Sequence, residues 1–96
     1  MDIQRALRSV VSTGKVYLGA AQAEKAIAKG EAKLVIVANG SPDATPLKEA
    51  SQKKGVGFYE FGGLGTELGP ACGKPFAVSV LTVLEAGESD ILQLSR

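Results

Sequence analysis

The chain has 96 residues, of which 45% are hydrophobic, and its formal net charge at pH 7 is +1. This length fits one compact domain, residues 1–96, and leaves no room for a second. The apolar runs at residues 34–38 and 77–84 are far shorter than the ~20 residues of a membrane-spanning helix. The amino terminus lacks the basic segment followed by an apolar one that is typical of a secretory signal. We therefore expect a cytosolic protein without membrane contact.

The charged residues are unevenly distributed along the chain. Residues 1–58 carry nine basic and five acidic side chains, whereas residues 59–96 carry two basic and five acidic ones. The fold is therefore expected to present one cationic and one acidic side. A single cysteine, Cys72, cannot form an internal disulfide, and without histidine the usual zinc ligand sets cannot be assembled. We expect neither a metal nor a cofactor.

Start and stop signals mark the predicted helices. Asp2 caps a first helix over residues 3–13, which Gly14 ends. A second helix begins at Gly19 and covers residues 20–29. A third helix is predicted at residues 46–54, where Pro46 takes the first helical position. Thr66 is predicted to cap a short fourth helix, and Ser89 a final turn that ends at Leu92 or Leu94.

Four strands are predicted between these helices, at residues 15–18, 34–38, 56–61 and 77–84. The continuous apolar run at 34–38 is typical of a central strand that is buried on both faces. In the last strand, alternation places Val78, Val80 and Thr82 on one side and Ala77, Ser79, Leu81 and Val83 on the other. Because strands and helices alternate, we predict an α/β fold with helices on both faces of a four-stranded mixed sheet.

The glycine-rich segment at residues 62–66 is open to several interpretations. It follows a strand and precedes a helix, as a phosphate-binding turn does, but it matches neither the Walker pattern nor the Gly-x-Gly-x-x-Gly spacing. Such a segment is more commonly a flexible connection between strand and helix. A third interpretation is a loop whose amides and Thr66 hydroxyl contact RNA phosphates or base edges. Glu60 and Glu67 flank it without a third group to orient them, so we do not expect an enzyme, although a small nucleotide-binding domain or enzyme stays the alternative.

Three further residues have side chains or backbone suited to RNA. Gly19 lies where a strand turns into a helix, so its backbone can meet an anion or a purine edge, and Lys25 is close enough to reach a neighbouring phosphate. Asn39 has an amide that both donates and accepts hydrogen bonds, which suits a base edge. A tight turn with a solvated lysine, and a turn-forming asparagine before glycine, are the ordinary alternatives.

Phe76 is the strongest single candidate for contact with an unpaired base. It follows Lys74 and Pro75, so a cation and an aromatic face lie next to each other on one loop. Aromatic side chains in such loops stack on splayed bases. Its position just ahead of the last predicted strand leaves open whether the ring is buried or exposed.

Several segments, in order along nearly the whole chain, resemble a known family. They are Gly14-Lys15-Val16, Leu18-Gly19, residues 32–39, Tyr59-Glu60-Phe61, Glu67-Leu68-Gly69, Cys72-Gly73-Lys74 and residues 85–91. Together they resemble the L30e family of large-subunit ribosomal proteins, which belongs to the kink-turn RNA-binding superfamily and is archaeal and eukaryotic. The resemblance implies a three-layer α/β/α sandwich that recognises a sharply bent internal loop of rRNA.

The resemblance also implies roles for individual residues. Gly19 and Lys25 would approach the bent backbone, Asn39 would contact a base, and residues 65–67 would line the groove. Phe76 would stack on an extruded nucleotide. Gln22 would supply a side-chain contact, and Lys74, Pro75 and Val78 would shape the pocket around the nucleotide. The whole predicted RNA-binding set is Gly19, Ala20, Gln22, Lys25, Asn39, Gly65, Thr66, Glu67, Lys74, Pro75, Phe76 and Val78.

The implied partners are rRNA with a kink-turn and neighbouring ribosomal proteins, with the protein in the ribosome and monomeric when free. An alternative within the superfamily is a subunit of an RNA-guided modification particle or of ribonuclease P. Those relatives usually carry Asn-Glu after the glycine that corresponds to Gly19, whereas Ala20 and Ala21 follow it here. The sequence therefore favours the ribosomal branch.

Overall fold

The computed structural model describes residues 3–87, 89 and 91–94, and helices and strands alternate along them as predicted. The elements are α1 (Ile3–Thr13), β1 (Lys15–Leu18), α2 (Ala20–Ala28), β2 (Leu34–Ala38), α3 (Ala44–Lys54), β3 (Gly57–Phe61), α4 (Gly65–Ala71), β4 (Val80–Glu85) and a closing 3-10 turn (Ile91–Leu94). The predicted Asp2 cap lies outside the described residues.

The four strands form one mixed sheet in the order β1-β4-β2-β3. β2 and β3 are parallel, and β4 runs antiparallel to both of its neighbours, β1 and β2. The carboxyl ends of β1, β2 and β3 and the amino end of β4 therefore lie together. We call this region the carboxyl end of the sheet.

Helices cover both faces of the sheet, which confirms the prediction from alternation. On one face, α1, α4 and the 3-10 turn pack around a core that includes Leu7, Leu68 and Leu81. On the other face, α2 and α3 pack around Ile27 and Leu47. Every residue of β2 is buried, because each of its two faces contacts one of these cores.

Two helices begin earlier than the sequence predicted. α3 starts at Ala44, two residues before Pro46, with Asp43 in the cap position. α4 starts at Gly65, so the prediction that Thr66 caps it is wrong. The backbone carbonyl of Leu64 accepts hydrogen bonds from the N–H groups of Glu67 and Leu68, both at 2.9 Å, so the cap position is Leu64, two residues before Thr66.

The last strand begins at Val80, not at Ala77 as predicted. Just before it, the N–H of Val78 donates to the carbonyl of Gly65 at 3.0 Å, a bond to the first residue of α4 and not to a neighbouring strand. The strand alternation therefore does not extend back to Val78. Its side chain packs in the same core as Leu81 and Val83, on the opposite face from the one predicted.

The final turn is fixed to the first helix by Ser89. Its hydroxyl accepts a hydrogen bond from the N–H of Ile91 at 3.1 Å, which confirms the predicted cap. The same hydroxyl donates to the carbonyl of Ala6 in α1 at 2.6 Å. This pair of bonds joins residues that are far apart in sequence and holds the carboxyl-terminal turn against the core.

Thr82 gives a prediction about stability. It lies in the middle of β4, is fully buried, and its hydroxyl has no hydrogen-bond partner among the described residues. Because an unpaired buried hydroxyl costs free energy, Thr82→Val, which keeps the shape, is expected to raise the free energy of unfolding by about 1 kcal/mol. Urea denaturation measures this, with exposed Thr45→Val as the control. A loss of stability in Thr82→Val would show that the hydroxyl is satisfied by a buried water.

Candidate RNA interface

The predicted RNA-binding residues all belong to segments that meet the carboxyl end of the sheet. Residues 19–25 follow β1, Asn39 follows β2, residues 65–67 follow β3, and residues 74–78 precede β4. Ligands of open α/β sheets commonly bind where strands give way to loops and helices in this manner. The topology therefore collects residues from four separate parts of the sequence on one side of the molecule.

Backbone hydrogen bonds to residues 78–80 hold three of these segments together. The N–H of Gly19 donates to the carbonyl of Val80 at 2.9 Å, and the N–H of Ala38 donates to the carbonyl of Ser79 at 2.8 Å. Val78 is bonded to Gly65, as described above. The corners after β1, β2 and β3 are thus each fixed to one short segment.

The loop that carries Phe76 lies on the same side of the molecule as the Gly19 corner. Phe76 is four residues before Val80, so their Cα atoms are at most about 15 Å apart. Val80 is the residue to which Gly19 donates its hydrogen bond. This upper limit is compatible with a binding rim that includes both segments.

Gly69 is the point where this loop rests on α4. The loop folds back over the helix, and the N–H of Lys74 donates to the carbonyl of Gly69 at 2.9 Å. A Cβ atom on Gly69 would collide with the carbonyl oxygen of Phe76, so the backbones of helix and loop are in direct contact. The position of the loop therefore depends on the absence of a side chain at residue 69.

The Phe76 ring is 53% exposed, which answers the question that the sequence left open. Pro75 beside it is exposed and Lys74 is half-buried. About half of the Phe76 surface is thus accessible to a partner, and a lysine lies two residues away in the sequence. Proteins that bind single-stranded nucleic acid use accessible aromatic rings and nearby cations to hold bases and phosphates.

The Gly19 corner offers backbone donors, but Gly19 itself is not one of them. Its φ of +102° is a conformation that favours glycine, and its N–H is already bonded to Val80. The N–H groups of Ala20, Ala21 and Gln22 are the ones at the start of α2 that have no acceptor within the helix. The methyl group of Ala20 packs against the core, so this residue would contribute its backbone.

Gln22 in the first turn of α2 and Lys25 in the last turn of this short helix are both exposed. They are three residues apart in the helix, which places both side chains on the same face. A polar amide and a cation therefore extend from the corner along one side of α2. Ala23, Ala26 and Ile27 form the opposite, buried side of the helix.

Glu67 and Thr66 line an open groove of about 850 Å³ between α1, α4 and the end of β3. The Glu67 carboxylate lies so close to Gly63 that a Cβ atom on this glycine would collide with it. The edge of the Phe61 ring is 2.9 Å from the position that this Cβ would occupy. A carboxylate only accepts hydrogen bonds at neutral pH, so it would contact base amino or imino groups and repel phosphate. The Thr66 hydroxyl can both donate and accept.

Asn39 is exposed and connects two of the corners. Its N–H donates to the carbonyl of Gly63 at 2.9 Å, which ties the end of β2 to the loop after β3. This bond uses the backbone of Asn39 and not its side-chain amide. The next residue is Gly40, whose φ is +79°. The residue is thus both a turn former and a candidate base contact, the two roles that its sequence position allowed.

The structure differs from the sequence interpretation at Val78, and it exposes a hydrophobic residue that the interpretation did not consider. Val78 is only 4% exposed, so its side chain is part of the core and only its backbone belongs to the rim. Leu64, which the sequence interpretation missed, is 54% exposed at the same end of the sheet. An apolar residue between glycines, in Gly62-Gly63-Leu64-Gly65, was the available signal.

Cys72 does not take part in this surface. It is buried below the loop, and burial raises the pKa of its thiol to about 11, with the charge of Lys74 acting in the opposite direction. The thiol is therefore protonated at neutral pH and packs as a small hydrophobic group, as predicted.

Within residues 3–87, 89 and 91–94, no cluster of three or more His, Cys, Asp or Glu side chains is arranged to hold a metal ion. Nor does any helix in this part of the chain have the length and apolar character needed to cross a membrane.

The fold and the surface define a small α/β protein that presents loops from one end of a mixed sheet. Residues 1–93 match the family described as the Ribosomal protein L7Ae/L30e/S12e/Gadd45 family, and the chain belongs to this family. The resemblance seen in the sequence is thereby confirmed.

Three similar proteins from archaea share one name. The chain is 50% identical to the large ribosomal subunit protein eL30 of Methanospirillum hungatei over the full length of both chains. It is 46% identical to the protein of the same name from Methanococcus maripaludis, covering 100% of this chain and 98% of the relative. With the protein of that name from Methanosarcina mazei it shares 40% identity over 96% of this chain and 87% of the relative.

Proposed function

We propose that this chain is a non-enzymatic constituent of the large ribosomal subunit that binds rRNA at a kink-turn. The observation that carries the proposal is the meeting of the Gly19 corner, Asn39, residues 65–67 and the exposed Phe76 at one end of the sheet. The full-length similarity to proteins named as large-subunit components supports it. It also favours the ribosomal branch over a modification particle, ribonuclease P or a small enzyme.

The backbone of the RNA binds at the start of α2. The free amides of Ala20, Ala21 and Gln22 and the positive end of the helix dipole attract the phosphates where the RNA chain bends. Lys25 adds a charge on the same side. These contacts position the RNA without reading its sequence.

The bases bind closer to the middle of the rim. Asn39 and Glu67 offer an amide and a carboxylate to base edges, and Phe76 stacks on a nucleotide that has left the helix. A straight duplex cannot supply such a nucleotide or fit the concave rim. With a net charge of only +1, the protein distinguishes RNA by shape more than by general electrostatic attraction.

The test compares two RNAs of equal length and charge, one with a kink-turn internal loop and one a continuous duplex. Titration at fixed salt is expected to show affinity for the bent RNA that is at least about 1,000-fold higher, the lower end of the usual range of specific over non-specific binding. Equal affinity for the two RNAs would refute the proposal. Light scattering on the free protein checks the expected monomer.

Lys25→Ala tests the phosphate contact. The variant is expected to bind all RNAs less tightly and to lower the slope of log affinity against log salt by about one. Lys33→Ala is the matched control, because this exposed lysine precedes β2 at the opposite end of the sheet and removes the same charge. A slope that changes equally in both variants would show that only net charge matters.

A further inference from the structure

Leu64 and Phe76 are the large hydrophobic side chains that stand exposed among the described residues, at 54% and 53%. A single exposed leucine is ordinary on a protein surface. The position of this one is informative, because both side chains lie in segments that meet the carboxyl end of the sheet, on the surface already assigned to RNA. The proposed contacts use Phe76 but leave Leu64 without a role.

The structure assigns Leu64 to a second base-binding position, where it covers the face of an unpaired base whose edge is bonded by Asn39. This inference rests on the proposed function. The Cδ2 atom of Leu64 lies 3.9 Å from the position that a Cβ on Gly40 would occupy, so the leucine side chain packs beside the turn at residues 39–40. The bond from the Asn39 N–H to the Gly63 carbonyl fixes that turn to the loop.

The chemistry of this position fits a base and not a phosphate. The apolar surface of Leu64 lies beside the turn that carries Asn39, whose side-chain amide can both donate and accept hydrogen bonds. An apolar surface and such an amide match the flat face and the polar edge of a nucleobase. Segment 62–67 contains no lysine or arginine, and its charged residue is the acidic Glu67. A phosphate would find repulsion there, whereas a base would find an apolar face and hydrogen-bonding groups.

The position is separate from that of Phe76. Leu64 immediately precedes α4, while the Phe76 backbone touches the helix at Gly69. Gly65 and Gly69 are about 6 Å apart along the helix axis, since each residue advances 1.5 Å. Leu64 and Phe76 therefore offer apolar surfaces at two places along α4, and we expect two different nucleotides to occupy them.

The test is a set of double-mutant cycles between protein and RNA. A kink-turn RNA is prepared with an abasic site at each unpaired nucleotide in turn, and each RNA is titrated with the parent, Leu64→Ala, Phe76→Ala and Gln52→Ala. Gln52 is exposed in the later half of α3 and serves as the control. Leu64→Ala is expected to weaken binding of the intact RNA by about 5- to 10-fold, near the lower end of what one base contact contributes.

The decisive result is the identity of the nucleotide that couples to each side chain. We expect the effect of Leu64→Ala to disappear with one abasic RNA, at a nucleotide different from the one that couples to Phe76→Ala. Leu64→Met, which keeps the apolar contact, is expected to retain affinity. Thermal unfolding of each variant confirms that the fold is intact.

Three outcomes would overturn the inference. They are unchanged RNA affinity in a folded Leu64→Ala variant, an effect that persists with every abasic RNA, and coupling of both side chains to the same nucleotide. If Leu64→Ala leaves RNA affinity unchanged but lowers incorporation into large subunits, the leucine contacts a protein. Failure of the parent protein to prefer bent RNA would instead identify the proposed function as wrong.

Discussion

Phe76→Ala is expected to weaken binding to a kink-turn RNA by about 1–3 kcal/mol, the contribution of one stacked base. The ring is half exposed and lies outside both core clusters, so its removal leaves no cavity in the protein. The free energy of unfolding should therefore change by less than about 0.5 kcal/mol, as for other surface substitutions. Calorimetric titration and urea denaturation measure the two quantities on the same protein.

Two further variants separate stacking from simple apolar contact. Phe76→Leu keeps an apolar side chain without a ring, whereas Phe76→Trp keeps a ring with a larger face. Stacking predicts that Phe76→Trp binds at least as well as the parent and that Phe76→Leu binds nearly as poorly as Phe76→Ala. Equal affinity of Phe76→Ala and the parent protein would remove this residue from the binding site.

The fold could be predicted well because its signals are local. The apolar run at residues 34–38 contains its own evidence for a strand buried on both faces, and the alternation of elements then requires helices on both sides. The errors occur where long-range bonds decide. Val78 bonds to Gly65 across the rim, and this contact, which no periodicity in the sequence records, ends the strand pattern.

The candidate site was predictable as a set of residue types but not as a surface. Asn39 and Phe76 have chemistry that suits RNA wherever they lie, whereas their proximity follows from the strand order. Exposure was also undetermined, since the same pattern before β4 contains the exposed Phe76 and the buried Val78. Leu64 was missed because an apolar residue in a glycine-rich loop has no periodic context.

The distribution of charge agrees with this arrangement. The cationic half of the sequence contains α2 with Lys25, and the acidic half contributes Glu67 to the rim. In the proposed complex, Lys25 would attract phosphates to its side of the site, while Glu67 would repel them from the groove beside α4. A protein with almost no net charge can bind a polyanion in this way if the bent shape of the RNA places phosphates and bases on the correct sides.

Gly69→Ala is expected to reduce both stability and RNA affinity, although helix propensity alone predicts the opposite. In the interior of a helix, alanine is favoured over glycine by about 1 kcal/mol. Here the added Cβ would collide with the carbonyl oxygen of Phe76 and lie 2.9 Å from its carbonyl carbon. These are backbone atoms that cannot rotate away, so either α4 or the loop must move.

The clash should outweigh the gain in propensity. Overpacking of this kind costs typically about 1–3 kcal/mol, and we expect a net loss of stability within that range in urea denaturation. Gly62→Ala is the control, because its φ is not in the left-handed region and a Cβ there would meet nothing within 4 Å. The control should change stability by less than about 0.5 kcal/mol.

Displacement of the loop also moves the Phe76 ring away from its stacking position. Gly69→Ala is therefore expected to lose at least as much RNA affinity as Phe76→Ala, although residue 69 is buried and cannot touch RNA. If the glycine acts through the ring, the double variant Gly69→Ala, Phe76→Ala should bind little more weakly than Gly69→Ala alone, because effects on one contact are not additive. Full stability and full RNA affinity in Gly69→Ala would show that the loop is not held by this contact. If the affinity losses of Gly69→Ala and Phe76→Ala simply add in the double variant, the glycine does not act through Phe76.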